Sequence, residues 1–205
     1  MKPIVLIGAG GHAKVIIGAA DALGRRVEHI LDDNPQRHGE LVLGVPISGG
    51  SASIPKFADT HEFIIAIGDN SIRKKMAEHF ELNWTSLIHP AAWVHGSVRM
   101  GRGSVIMAGA IVQPDTVMGD HVILNTGCTV DHDGKIGDFV HVAPGAHLSG
   151  NVTLEEGVLL GVGSSVRPGA IVGEWTIVGA GGAVARDLPG HVVAVGVPAE
   201  PKDRT

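Results

Sequence analysis

The chain has 205 residues, 30 of them glycine, with four Phe, three Trp, no Tyr and a net charge near −5. Glycine at about twice its ordinary share of roughly 7%, beside so few rings, argues against a conventional aromatic core. The acidic balance offers no footprint for nucleic acid, and no apolar run approaches the roughly 20 residues of a membrane-spanning helix. A single cysteine, Cys128, excludes an internal disulfide framework, and no signal-peptide pattern precedes the first strand-like run, so a reduced, cytoplasmic protein is expected.

Residues 1–87 alternate β-branched runs with helical stretches. Ile4 to Ile7 reads as a buried strand, His12 to Leu23 as a helix, Val27 to Leu31 as a second strand and Phe63 to Ile67 as a third. A charged helix follows from about Ser71 to Phe80, with Trp84 to Leu87 as a last strand. Strand and helix in alternation imply a parallel sheet with helices on its faces, a small Rossmann-like α/β domain.

Two loops of this domain have the form of phosphate sites. Gly8-Ala9-Gly10-Gly11-His12-Ala13 satisfies G-x-G-x-x-G/A between a strand and a helix, where free N–H groups and the helix dipole receive anions. Asp32 and Asp33, about 20 residues on, suit a ribose or base contact. The motif alone spells NAD, but fewer than 90 residues hold one mononucleotide half and not two; the bland reading is a tight turn. Gly68-Asp69-Asn70-Ser71 opens the second helix at the same sheet edge. Arg73, Lys74 and Lys75 behind it read either as phosphate contacts or as a solvated face.

From residue 88 onward the period is six. Every sixth position from Ile88 to Val184 is Ile, Val, Leu or Met, seventeen in succession, and four residues after most of them stands a small or β-branched side chain such as Ala92, Ser104, Ala110, Cys128 or Ala146. Such repetition marks a solenoid. Both columns are expected to point inward, three units closing a triangular coil of 18 residues whose strands pair in parallel with the coil above. The recurrent pairs Met100-Gly101, Met118-Gly119, Ile136-Gly137, Leu160-Gly161, Val172-Gly173 and Val178-Gly179 are read as corners that need positive φ. A prism this narrow has no room for aromatic rings.

These hexads, the tail Val195-Gly196-Val197-Pro198-Ala199, the start Gly8 to Lys14, the middle Ala66 to Lys74, and Asn125-Thr126 followed by His132-Asp133 together resemble the hexapeptide-repeat acyltransferases, and within them the PglD/NeuD-type sugar acetyltransferases. The resemblance spans the chain. It implies a nucleotide-sugar-binding domain at 1–87 and a left-handed parallel β-helix acyltransferase domain at 88–205. It implies acetyl-CoA as co-substrate, without a metal, and homotrimers with active sites between subunits. It further implies that the diphosphate of a nucleotide sugar, with Gly10, Gly11, His12, Asp32, Asp33, Gly68 and Asn70 as contacts, takes the place of NAD. His141, Gly161 and Gly179 are the expected contacts of the coenzyme.

His132 is the expected general base: Asp131 and Asp133 flank it, a carboxylate on one ring nitrogen fixes the tautomer, and an imidazole near neutrality takes a proton from an attacking amine. The resemblance favours Asp133 as the orienting group, where many relatives carry Glu, and makes Asn125 a substrate-bonding residue. Gly150, one coil beyond His132, offers an amide for the oxyanion. Cys128, in the inward column, packs rather than carries acyl groups, so transfer is direct. The alternatives are a sialic acid or other sugar O-acetyltransferase, a nucleotide-binding trimeric scaffold without activity, and a zinc hydratase. The last requires histidines 18 apart on neighbouring coils or a close pair on one coil; the hexad region has none 18 apart, and its pairs 89/95 and 141/147 are spaced by six, on different faces.

Overall fold

The computed structural model describes residues 1–202; residues 203–205, the end of the second expected domain, lie outside it. The N-terminal part is a three-stranded parallel sheet of β1 (Ile4–Ile7), β2 (Val27–Leu31) and a third strand, Glu62–Ile65, in the order β2, β1, third strand. Alternation along β1 assigns each face: Ile4 and Leu6 pack with helix α1 (Gly11–Ala22), Val5 and Ile7 with Phe63, Ile65 and the Met76 and Phe80 side of helix α2 (Asn70–His79). A short hairpin, Leu41–Val42 with Val45–Pro46, carries Ile47 to the free edge of β2, a feature without a sequence signal strong enough to read. Among the described residues no helix is long and apolar enough to cross a membrane.

The segment Trp84 to Leu87 is not a strand of that sheet. Trp84 makes one parallel bridge to Phe63, whereas Leu87–Ile88 already pairs with Val105–Ile106 in the first face of a parallel β-solenoid. Two-residue strands recur every six residues and each pairs with the strand one coil on, as Ile123–Leu124 with His141–Val142. The faces follow one another around the coil: the first runs through Ile123 and His141, the second through Thr129 and His147, the third through Lys135 and Thr153.

The inward columns are as expected along most of the stack. Val112, Leu124, Val130, Val142, Leu160, Val172 and Val178 are fully buried, and so are Ala110, Cys128 and Ala146 of the small column. The exception is the first coil, where no coil lies beneath: Ile88 is 38% exposed. At the other end Val193–Val195 extends the first face and pairs antiparallel with Glu200–Lys202, so Ala194 and Ala199 seal the core.

The corner glycines serve a different purpose from the one the pairs suggested. Positive φ recurs at every sixth residue from 103 to 181, two places after the paired glycine, and is adopted not only by Gly but also by Asp115, His121, Asp133, Phe139, Asn151 and Trp175. Gly137 and Gly161 instead lie under the next coil: a Cβ on Gly137 would stand 2.8 Å from the Glu155 carbonyl carbon and one on Gly161 2.6 Å from the Ala180 nitrogen. Close approach, not handedness, demands glycine there. The rings that do not fit the prism sit outside it on the edge between the third and first faces. There His121 and Phe139 stack at 5.5 Å, His121 meets Trp84 edge-on, and the Trp175 ring occupies the space above Gly157.

Candidate functional site

The first face of the solenoid is covered at its lower end by the α/β domain. Leu87, Val105, Met107 and Ile123 join the cluster formed by α1 and β1, so the domain joint is itself a hydrophobic core. Helix α2 lies along the edge beside that face and grips it through polar groups. Arg73, 1% exposed, donates Nε to the His121 carbonyl at 2.8 Å and Nη2 to the Phe139 carbonyl at 2.6 Å. Asn70 Nδ2 donates to the Gly157 carbonyl at 3.0 Å and the Val158 carbonyl at 3.2 Å. Residues 121, 139 and 157 stand one coil apart and all adopt positive φ, a conformation in which the corner carbonyls meet the helix.

These contacts correct two sequence readings. Arg73 is no phosphate ligand: all its donors are engaged inside the joint. The Asn70 carboxamide is occupied on both ends, its oxygen accepting from Arg73 at 2.9 Å, so it ties the domains together instead of facing a substrate. Lys74 pairs with Glu156 and lies 5.5 Å from the Trp175 ring centre, extending the same grip by one coil. Asp69, which also lines the expected phosphate turn, caps α2 by accepting from the Ile72 amide at 2.9 Å, and this bond with that of the Ser71 hydroxyl holds its carboxyl below its ordinary range.

The glycine-rich turn is built as an open helix start. Gly8 has φ +103°, and a side chain there would strike Ile67 at 2.6 Å, so it fixes the turn. Gly10 and Gly11 are exposed, with empty space where a Cβ would stand, and α1 begins without a side-chain cap or an acidic residue in its first turn. Free amides and the positive dipole end are therefore presented to solvent. Asp32 supports this loop from beneath, its Oδ2 accepting from the Ala9 amide at 2.9 Å and its Oδ1 from Asn34 at 3.0 Å, while Arg37 holds the Ala9 carbonyl at 2.8 Å. Asp33 accepts from the Ser51 amide through Oδ1 at 2.6 Å. A cleft of about 170 Å³ opens beside them, lined by Gly8, Asp32, Asp33, Ser51, Ile72 and Met76.

Where the domain loops meet the solenoid, three of the expected residues converge. His12 and His141 face each other with ring centres 6.5 Å apart, and the His141 Nε2 lies 3.1 Å from Asn125 Nδ2. Asn125 Oδ1 accepts from the Thr126 amide at 2.8 Å. Burial first, and the Arg73 charge second, push both histidines down to about 4, so both rings are neutral at physiological pH. The backbone of Gly68 is the remaining partner of the His141 ring. A second cavity of about 180 Å³ begins at this point, between Gly68 to Ser71 and the outer side chains Leu159, Trp175 and Ile177.

His132 lies elsewhere. It stands on the edge between the second and third faces, exposed, with Nδ1 2.8 Å from Asp133 Oδ2. Asp133 occupies the positive-φ corner at +58°, which turns its carboxylate back toward the ring. The Asp133 hydrogen bond, joined by the charge of Asp131, raises the His132 pKa, while Asp131 itself accepts from the His132 backbone amide at 2.8 Å. Of the two flanking carboxylates, Asp133 is therefore the one on the ring. The ring rests against Gly150 of the next coil. Gly161 and Gly179 donate their amides to Val178 and Ala194 at 2.8 Å within the ladder, so neither N–H is open to a coenzyme; what they offer is a low rim. A separate group, Glu28, His29 and His61, brings three ligand-type atoms together near the start of β2 and of the third strand. Among them His61 is bonded on both ring nitrogens, to Thr60 and to Glu28.

Residues 3–80 match the family model of the PglD N-terminal domain. The chain is 43% identical over 115 residues to a UDP-N-acetylbacillosamine N-acetyltransferase of Bacillus subtilis (strain 168), a match covering 53% of this chain and 52% of that protein, so it spans about half the length of that curated relative. It is similar over its whole length to solved structures. PerB of Caulobacter crescentus, in complex with CoA and GDP-perosamine, aligns at TM-score 0.93 and 43% identity over 99% of this chain and 98% of that one. The acetyltransferase domain of PglB from Neisseria gonorrhoeae FA1090 aligns at 0.92 and 38% over 98% and 100%.

Proposed function

The chain belongs to the PglD-type family of hexapeptide-repeat acyltransferases, and we propose on that ground that it transfers the acetyl group of acetyl-CoA to the amino group of a nucleotide-linked amino sugar. The observation that carries the reading is the exposed His132–Asp133 pair at 2.8 Å, a base with its orienting carboxylate on an otherwise closed solenoid. Support comes from the relatives: PerB was solved with CoA and GDP-perosamine, and the Bacillus protein is an N-acetyltransferase of a UDP-linked amino sugar.

In this reading the nucleotide lies at the carboxyl edge of the α/β sheet. Its diphosphate meets the free amides of Gly10 and Gly11, and its base enters the cleft beside Asp33 and Ser51. His12, Asn125 and His141 receive the sugar and the thioester where the domain rests on the first face. His132 takes the proton from the sugar nitrogen as that nitrogen bonds to the thioester carbonyl carbon. As the C–S bond breaks, the same proton passes to the departing CoA sulfur. Asp133 holds the ring and stabilises its cationic form.

His132 and Asn125 cannot meet within one chain. They stand on different edges of the prism, separated by a face spanning roughly 15–20 Å at about 3.3 Å per residue. We therefore place the site between copies of the chain in a trimer, His132 from one and Asn125 with His141 from the next. Light scattering on the purified protein should return three times the 21.2 kDa chain mass.

The decisive experiment is thiol release from acetyl-CoA with a panel of UDP-, GDP- and dTDP-linked amino sugars and sialic acid as an O-acceptor control. Release with an amino sugar, abolished in His132→Ala, supports the assignment. Release with sialic acid alone would transfer it to O-acetylation, and none with any acceptor would favour a binding scaffold.

A further inference from the structure

We infer that Arg73 is a positioning residue: from inside the domain joint it holds Gly68 against His141, and so sets the proton on that ring and the orientation of the Asn125 carboxamide. The inference rests on the site assignment above for its kinetic consequence and on geometry alone for its structural one.

The guanidinium is buried, and among the described residues no carboxylate is bonded to it. Its acceptors are four backbone carbonyls, of Ile67 at 3.1 Å, Gly68 at 3.3 Å, His121 at 2.8 Å and Phe139 at 2.6 Å, and the Asn70 side-chain oxygen at 2.9 Å. Burying a cation without a counter-charge is costly. Neutral groups tie domains together at lower cost, as Asn70 does beside it. What the charge adds is a field, and the groups exposed to that field are the two histidines of the joint.

The hydrogen-bond chain gives the field a direction. Asn125 Oδ1 is committed to the Thr126 amide, so the carboxamide presents its NH₂ to His141, whose Nε2 must accept. A neutral ring accepting at Nε2 carries its proton on Nδ1, and Gly68, held by Arg73, is the backbone group that takes it. Protonation of His141 would set N–H against NH₂ and turn the Asn125 carboxamide, losing the Thr126 bond. The charged and titratable groups facing His141 are His12 on α1 and Arg73 on α2, with Asp69 behind Arg73; its neighbours along the face, Ile123 and Leu159, are apolar. Burial and both neighbouring groups oppose protonation of the ring and outweigh the Gly68 backbone bond, which favours it. With its orientation fixed, the second Asn125 N–H is free for the substrate or the thioester oxygen.

The test combines ring-nitrogen NMR of the wild type with titration of Arg73→Lys and Arg73→Met. Wild-type His141 should be neutral, protonated on Nδ1, and should resist protonation down to about pH 4. Arg73→Met should raise its titration midpoint and lift the acid limb of kcat/KM with the best acceptor, while Arg73→Lys should keep both near the wild type. An Nε2–H ring in the wild type overturns the inference, and so does an unmoved His141 midpoint in a folded Arg73→Met protein. The tautomer measurement needs neither a variant that folds nor an active enzyme, so its failure is separable from failure of the acetyltransferase assignment.

Discussion

The imidazole of His132 rests on Gly150 of the next coil: a β-carbon at 150 would stand 2.5 Å from Cε1 and 2.6 Å from Nε2. Gly150 is thus the floor on which the base lies, and Nε2, the nitrogen left free by Asp133, is the one a side chain would displace. Gly150→Ala should leave the stack folded, because the ring is exposed and can swing outward. It should lower kcat roughly tenfold to a hundredfold, as expected when a reacting group shifts by about an ångström. Steady-state rates beside an unchanged melting curve check this; an undiminished kcat would remove His132 from the chemistry.

Asp133 raises the His132 pKa through a direct hydrogen bond, and the sign of its removal follows. Without the carboxylate the imidazole stays neutral, and so basic, to lower pH. The acid limb of kcat/KM in Asp133→Asn should therefore move downward, with a plateau rate reduced by less than the roughly 10²–10⁴-fold expected for His132→Ala. Asn tolerates the +58° backbone of this corner, so a fall in rate is not a folding effect. An acid limb moving upward would contradict the pairing.

His12, His121 and His141 are each held neutral by burial, with pKa values pushed down to about 4. The unfolded chain binds these protons near its ordinary value of 6.5, so between about pH 6.5 and 4 it holds more protons than the folded one. Stability from these sites is complete above pH 6.5 and declines as pH falls toward 4. All three lie at the domain joint, so denaturant midpoints taken from pH 7 to 4.5 should drop together with loss of domain contact. A flat profile over that range would show that these rings are not buried as described.

The solenoid was legible because one residue type recurs every six positions, and Val112, Leu124, Val130 and Val142 are where that period places them. The role of the corner glycines was not. Positive φ is a backbone state that Asp133, Phe139 and Trp175 share with glycine, so residue type alone does not reveal it, and the paired glycines answer to atoms one coil away. The Arg73 and Asn70 contacts to the solenoid were hidden for the same reason: their partners there are backbone carbonyls 48 to 88 residues distant, which no local pattern announces. His132 and Asp133 were readable because they are adjacent in sequence and bonded to each other.

The two glycine classes separate in a stability measurement. Gly163 has φ +65° and open space around its missing Cβ, so Gly163→Ala should cost only the left-handed strain of about 1 kcal/mol. Gly137 has no such φ, yet a Cβ there would stand 2.8 Å from both the Glu155 carbonyl carbon and the Glu156 nitrogen. Gly137→Ala should force the coils apart and cost more, about 1–3 kcal/mol as for an overpacked core. Equal losses would mean that the stack yields more readily than its backbone contacts imply.

Cys128 is the one nucleophilic thiol, and its position decides between direct transfer and an acyl-enzyme. It lies in the small inward column with no exposed surface, and burial pushes its thiol up to about 12, so no thiolate forms at neutral pH and no substrate reaches it. Cys128→Ala should therefore keep its rate, and initial-velocity lines against the two substrates should intersect, the pattern of a ternary complex rather than of ping-pong exchange. A thiol reagent should label the protein only after unfolding. Parallel lines, or loss of transfer in a folded Cys128→Ala, would place the acetyl group on the enzyme and require this corner of the prism to open.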